Sequence, residues 1–187
     1  GGSNGKTIVK EWSRVLIAQD KKVCISPRSY NSQIGVAVSL WQLNENFEAG
    51  IFEAGISEPN EMQSLHDMIL PDTGLITNIG DAHGANFSSI EEKINEKLKL
   101  FEGCKRLICS QDNPMLFEKV SEFCKSNNIE LISYATESMA RKLQLPFEDR
   151  VSKEIAVSAF VLCTQLGIDE DKLRQRIGVL TPLDMRM

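Results

Sequence analysis

The chain has 187 residues, enough for one domain with a substantial core. It is 42% hydrophobic and 25% charged, as in a water-soluble globular protein, and its formal net charge of −5 argues against nucleic acid or an anionic membrane surface as the main partner. The five cysteines, Cys24, Cys104, Cys109, Cys124 and Cys163, form no C-x-x-C pair and sit mostly in apolar runs, which speaks for buried free thiols in a reducing cytoplasm. No run approaches the roughly 20 apolar residues of a membrane span.

Lys6 to Ala18 has helical spacing, with Val9, Trp12, Leu16 and Ile17 near one face. Lys22 to Ile25 reads as a short strand and Ser32 to Leu43 as a helix. Ile51 to Ala54 is an apolar run that reads as a buried strand with Glu53 at its end. Glu58 to Leu70 is helical and is stopped by Pro71; Gly74 to Thr77 is the next strand. Ser88 to Phe101 reads as one helix, capped by Ser88 or Ser89, with Glu91 and Glu92 in its first turn. Arg106 to Cys109 is a strand, Pro114 to Ser126 a helix, Glu130 to Tyr134 a strand. Ser152 to Leu166 and Glu170 to Val179 are the closing helices. This alternation predicts an α/β fold, a mostly parallel sheet with helices on both faces. Ligands of such sheets bind beyond the carboxyl ends of the strands, where Glu53, Asn78, Asp81, His83 and Asp112 fall.

Gly2-Ser3-Asn4-Gly5-Lys6-Thr7 lies immediately before the first helix. Glycines allow backbone to wrap phosphate oxygens, and a helix N-terminus offers free N–H groups. Lys6 then has the reach for β- and γ-phosphates, and the Thr7 hydroxyl suits Mg²⁺. A Gly/Ser linker capping a helix is the plainer alternative. Glu53 is a candidate Mg²⁺ ligand; taken alone, a solvent-facing carboxylate is the simpler reading. His83 follows a strand in a loop, where function concentrates, yet Mg²⁺ rarely prefers imidazole, and its role stays open. His66 sits mid-helix with nothing to recommend it. Lys93, Lys97 and Lys99 read by composition as a solvated basic face.

Taken together, these segments resemble the Mur ligase family, whose pattern joins G-[ST]-x-G-K-[ST], a glutamate followed by a small residue and glycine, N-x-x-x-x-H, and a lysine four residues before an aromatic. Here these are Gly2 to Thr7, Glu53-Ala54-Gly55, Asn78 to His83, and Lys97 with Phe101, in matching order over nearly the whole chain. The resemblance implies a P-loop-like central ATP-binding domain spanning 1–187, with the N-terminal UDP-binding domain and the C-terminal domain lying outside this chain. Within the family, Ser26-Pro27-Arg28-Ser29-Tyr30-Asn31 and the residues up to Val36 are similar to the member that adds D-alanyl-D-alanine to UDP-N-acetylmuramoyl tripeptide. Thr77 to Phe87 is similar to forms of that member fused to an alanine racemase.

The implied activity is an ATP-dependent, amide-forming ligase of peptidoglycan precursor synthesis that works through an acyl phosphate. The implied roles are catalysis by Lys6, His83 and Lys97, and phosphate binding by Gly2, Ser3, Asn4, Gly5, Lys6 and Thr7. Thr7, Glu53, His83 and a carbamylated Lys97 would hold Mg²⁺, and Asn31 would lie near the γ-phosphate and the substrate carboxylate. The implied partners are ATP, UDP-N-acetylmuramoyl tripeptide, D-alanyl-D-alanine and the flanking domains. The sequence departs from the pattern at Ile155, where the family carries an asparagine against adenine. Two other readings stand beside this one: a folylpolyglutamate synthase-like ligase, and a nucleotide switch or ATPase without ligase chemistry, which would leave His83 and Lys97 without a task.

Overall fold

The structure is a computed structural model, and it describes residues 1–55, 61–80 and 87–180. Eight helices and five strands lie within them: α1 (Lys6–Ile17), β1 (Val23–Ile25), α2 (Gln33–Trp41), β2 (Ala49–Ile51), α3 (Glu61–Ile69), β3 (Thr73–Ile76), α4 (Ile90–Leu98), β4 (Arg106–Ser110), α5 (Pro114–Asn127), β5 (Glu130–Tyr134), α6 (Thr136–Leu143), α7 (Arg150–Gln165) and α8 (Glu170–Ile177). A 3-10 turn, Lys99–Phe101, follows α4.

Side-chain caps fix most helix starts by satisfying free N–H groups. Ser32 accepts from Gly35 N, Ser89 from Glu92 N, Asn113 from Leu116 N and Asp149 from Ser152 N. The Asp149 cap starts α7 at Arg150, earlier than the apolar periodicity predicts. The helix expected over Ser88 to Phe101 tightens into the 3-10 turn after Leu98. α6 went unpredicted, because it is short and its N-cap, Ala135, offers no side-chain bond. β2 also corrects an expectation. It ends at Ile51, so Glu53 lies in irregular backbone past the strand rather than at its last residue.

β1 and β2 pair in parallel, and β3, β4 and β5 form a second parallel ladder in that order. The period of two along β4 feeds two cores. Ile108 joins Leu16, Ile17, Trp12, Phe160 and Leu173 under α1, α7 and α8. Leu107 and Cys109 join Met62, Leu65, Ile94, Phe101 and Leu116 under α3, α4 and α5. With both faces covered, β4 is buried from Leu107 to Ser110 and carries an almost uninterrupted apolar run. Between β2 and β3 runs a groove of about 430 Å³, lined by Val9, Ile51, Leu75, Phe101 and Leu162 among others.

Candidate nucleotide and metal site

The glycine-rich segment closes against the exit of β3. Gly1 N donates to Leu75 O at 2.8 Å, and Thr77 N donates to Gly1 O at 3.2 Å. Ser3 N donates to Asn78 O at 2.7 Å, Asn4 N to Asn78 Oδ1 at 3.1 Å, and Thr77 Oγ1 to Asn4 O at 2.8 Å. Gly2 has φ +122°, and a Cβ there would come 2.0 Å from Thr77 Oγ1, so only glycine fits. Gly5, at φ 78°, is the N-cap of α1 and turns the chain into the helix. The result is a backbone cradle at a helix N-terminus, the geometry that receives phosphate oxygens.

Lys6 and Thr7 open α1. The Lys6 ammonium donates to Ser3 O at 2.9 Å, and burial holds its pKa below the ordinary lysine value, with Glu53 pulling the other way. Thr7 Oγ1 donates to Glu53 Oε2 at 2.8 Å, while Asn31 Nδ2 donates to Glu53 Oε1 at 2.8 Å. Glu53 is buried, and its backbone N–H donates to Ser26 Oγ at 3.3 Å. A hydroxyl, an amide and a carboxylate thus converge beside the loop. That is an oxygen-rich donor set of the kind hard divalent cations take. Ser3 Oγ is buried without a hydrogen-bond partner among the described residues, a polar atom that a phosphate oxygen in the cradle would satisfy.

Lys97 is where composition alone misleads. It is 3% exposed, and its ammonium donates to Gly2 O at 3.0 Å, across 95 residues of sequence. Burial first, then the ammonium groups of Lys6 and Lys93, bring its pKa down to about 8. The solvated basic face read from Lys93, Lys97 and Lys99 is therefore corrected. Lys93 donates to Gly80 O at 3.2 Å, and Lys99 pairs with Glu96 at 2.6 Å. Asp81 and His83 lie outside the described residues. Among those described, no group of three His, Cys, Asp or Glu side chains gathers as a ready metal cluster. His66 Nδ1 lies 3.1 Å from Leu100 O, a structural contact.

Three residues near the loop escaped the sequence reading. Thr77 follows a buried strand, as Asn78 does, and its hydroxyl fastens Asn4. Glu154 lies 3.4 Å from Asn78 Nδ2, and burial raises its pKa. Lys10, one turn after Lys6, is almost fully buried. Ile155 is buried too, and packs against Gly5: a Cβ at Gly5 would lie 3.3 Å from Ile155 Cγ1. Asp112, expected at a strand exit, accepts from Thr136 N at 3.2 Å and so caps the turn into α6.

The family model and the sequence relatives agree on one family. The Mur ligase middle domain family matches residues 1–167. A Treponema pallidum protein named UDP-N-acetylmuramoyl-tripeptide–D-alanyl-D-alanine ligase is 36% identical over 100 residues, covering 54% of this chain and 22% of the relative. A Synechocystis protein of the same name is 31% identical over 201 residues, covering 97% of this chain and 43% of the relative. A crystal structure of MurF from Acinetobacter baumannii superposes with a TM-score of 0.83 at 19% identity, covering 98% of this chain and 45% of that one. The last likeness establishes the fold: parallel strands flanked by helices, as predicted. The matched region is less than half the length of each of these proteins.

Proposed function

This chain belongs to the Mur ligase middle-domain family, and from that premise we propose that it is the ATP-binding part of a peptidoglycan-precursor ligase that adds D-alanyl-D-alanine to UDP-N-acetylmuramoyl tripeptide. The observation that carries the proposal is the pair of bonds that Thr7 and Asn31 make to Glu53 beside the Gly2–Thr7 cradle. The names of the sequence relatives and the likeness of the Tyr30 to Val36 segment favour this ligase over a folylpolyglutamate synthase. A nucleotide switch without ligase chemistry would use the cradle and Glu53 but leave the buried cation of Lys97 without a purpose.

ATP with Mg²⁺ would supply a γ-phosphoryl group that activates a substrate carboxylate for attack by an amine. The residues of this chain then have distinct tasks. The amides at the start of α1 and Lys6 bind the phosphates and offset charge that builds on them. Thr7 and Glu53 hold the cation, with His83 assigned to a second metal position. Asn31, tethered to Glu53, stands on the side assigned to the carboxylate substrate. Lys97 is assigned a carbamate: its neutral amine adds CO₂ and releases one proton, replacing a buried cation by a carboxylate-like oxygen ligand. Burial against Gly2 favours the neutral amine that this addition needs.

The UDP-sugar and the second substrate are assigned to N- and C-terminal domains of the same polypeptide. The apolar groove between β2 and β3 suits a further strand from such a flanking part. A cytoplasmic setting fits the five free, buried thiols. No helix among the described residues is long and apolar enough to cross a membrane. Calorimetric titration of this chain with ATP and Mg²⁺ tests the cradle. Lys6→Ala should weaken binding by at least about tenfold, and equal affinity in both proteins would remove Lys6 from the phosphate site.

A further inference from the structure

The site leaves one buried charge without a task. Lys10 is 2% exposed, yet the carboxylate it meets, Glu11 Oε1 at 3.5 Å, belongs to a partly exposed side chain. The Lys10 ammonium instead donates to two backbone carbonyls, Ser26 O at 2.5 Å and Arg28 O. An apolar side chain of similar length would fill the same space without the cost of desolvating a charge. What the ammonium adds is a grip on the segment that leaves β1.

That segment is the one that carries Asn31. Its first half is held by Lys10, and Arg28 within it adopts a left-handed φ of 47°. Its second half is tied to the exit of β2: Gly55 N donates to Asn31 O at 2.9 Å, and Asn31 Nδ2 reaches Glu53 Oε1. A Cβ on Gly55 would lie 3.0 Å from Asn31 Cγ, so the two strands' exits touch closely there. Helix α1 therefore meets Glu53 by two routes. Thr7 reaches Oε2 directly, and Lys10 acts on Oε1 through the 26–31 segment.

We propose that Lys10 is a positioning residue that fixes the 26–31 segment on α1, so that Asn31 and Thr7 grip Glu53 simultaneously and the carboxylate is set for a divalent cation. The cation clause rests on the proposed function; the mechanical clause does not. The test uses Lys10→Met and Lys10→Arg in this chain. Hydrogen exchange of the Gly55 amide and the Asn31 side-chain amide is followed by NMR, along with the Mg²⁺ concentration that half-saturates ATP binding.

Lys10→Met should lower protection at Gly55 and Asn31 by tenfold or more relative to the β4 amides. It should also raise the half-saturating Mg²⁺ concentration about tenfold, leaving metal-free ATP affinity unchanged. Lys10→Arg, which keeps a donor for both carbonyls, should retain most of both properties. Unchanged protection at Gly55 and Asn31 in folded Lys10→Met overturns the proposal, as does an equal loss at every amide, which is the mark of general destabilisation. If Lys10→Met does not fold, Lys10→Arg decides by the same ratio: a Gly55 amide that loses tenfold or more of its protection relative to β4, although both carbonyls still have a donor, overturns the proposal. Loss of protection with an unchanged Mg²⁺ requirement upholds the positioning role and overturns the cation assignment of Glu53 instead.

Discussion

Replacing Lys97 by methionine tests how much stability the fold gives up to keep a cation under the glycine-rich loop. Methionine matches the length of the lysine stem without its charge. The pKa of Lys97 falls from 10.5 to about 8, which corresponds to about 3 kcal/mol against the charged form. Because the side chain is only 3% exposed, solvent screening removes little of this. The lost hydrogen bond to Gly2 O offsets about 1 kcal/mol. Lys97→Met should therefore be more stable than wild type near pH 7 by about 2 kcal/mol.

The pH dependence gives the sharper signature. The folded protein releases the Lys97 proton near pH 8, whereas the unfolded chain keeps it to about 10.5. Between those values the unfolded state binds more protons, so wild-type stability rises with pH relative to the variant. Below pH 8 both states are protonated and the full penalty applies. The advantage of Lys97→Met should accordingly shrink from pH 8 upward, be gone about 1.5 pH units higher, and reverse slightly by pH 10.5. Guanidinium unfolding of both proteins from pH 6.5 to 10.5, in CO₂-free buffer, measures the difference, in which titrating groups not coupled to Lys97 cancel. A variant less stable than wild type at pH 7, or a difference that does not change with pH, would refute the reasoning.

Gly2→Ala should lose at least about 2 kcal/mol in denaturant unfolding, because Cβ would meet Thr77 Oγ1 at 2.0 Å and φ is +122°; a loss under about 0.5 kcal/mol would mean that the loop gives way freely. Gly74→Ala drives a methyl to 2.3 Å from Phe101 Cδ1 and 2.9 Å from Leu107 Cδ1, and should cost about 1–3 kcal/mol by the same assay. All five cysteines are buried, and burial pushes Cys109 and Cys163 up to about 12 and Cys104 and Cys124 up to about 11. A chromogenic disulfide reagent at pH 8 should therefore find no rapidly reacting thiol in the native chain and five in guanidinium; one fast thiol without denaturant would contradict that packing.

Local chemistry determined the elements and their order. Apolar spacing places Val9, Trp12 and Leu16 on the buried face of α1, and Asn113 followed by Pro114 starts α5 where such a pair should. The Gly2–Thr7 pattern before a helix was legible because a left-handed glycine at a helix start is a local requirement, and Gly5 meets it. Boundaries slipped where a cap or a tight turn outweighed periodicity, as at Asp149 and at the turn after Leu98. Glu53 was read as a candidate from its type and place, but its two partners are 46 and 22 residues away in sequence. Lys97 shows the limit most clearly. Helical spacing sets it three residues after Ile94 and four before Phe101, beside the apolar face of α4, but a lysine at such an edge reads by type as one that reaches out to water. Family resemblance singled it out; periodicity did not. Its burial is decided when the first residues of the chain fold over α4 and set Gly2 O above its ammonium. Lys10 is the same case on α1: helical spacing fixes which face a side chain occupies, but only the packed chain decides whether that face meets water or the carbonyls of Ser26 and Arg28.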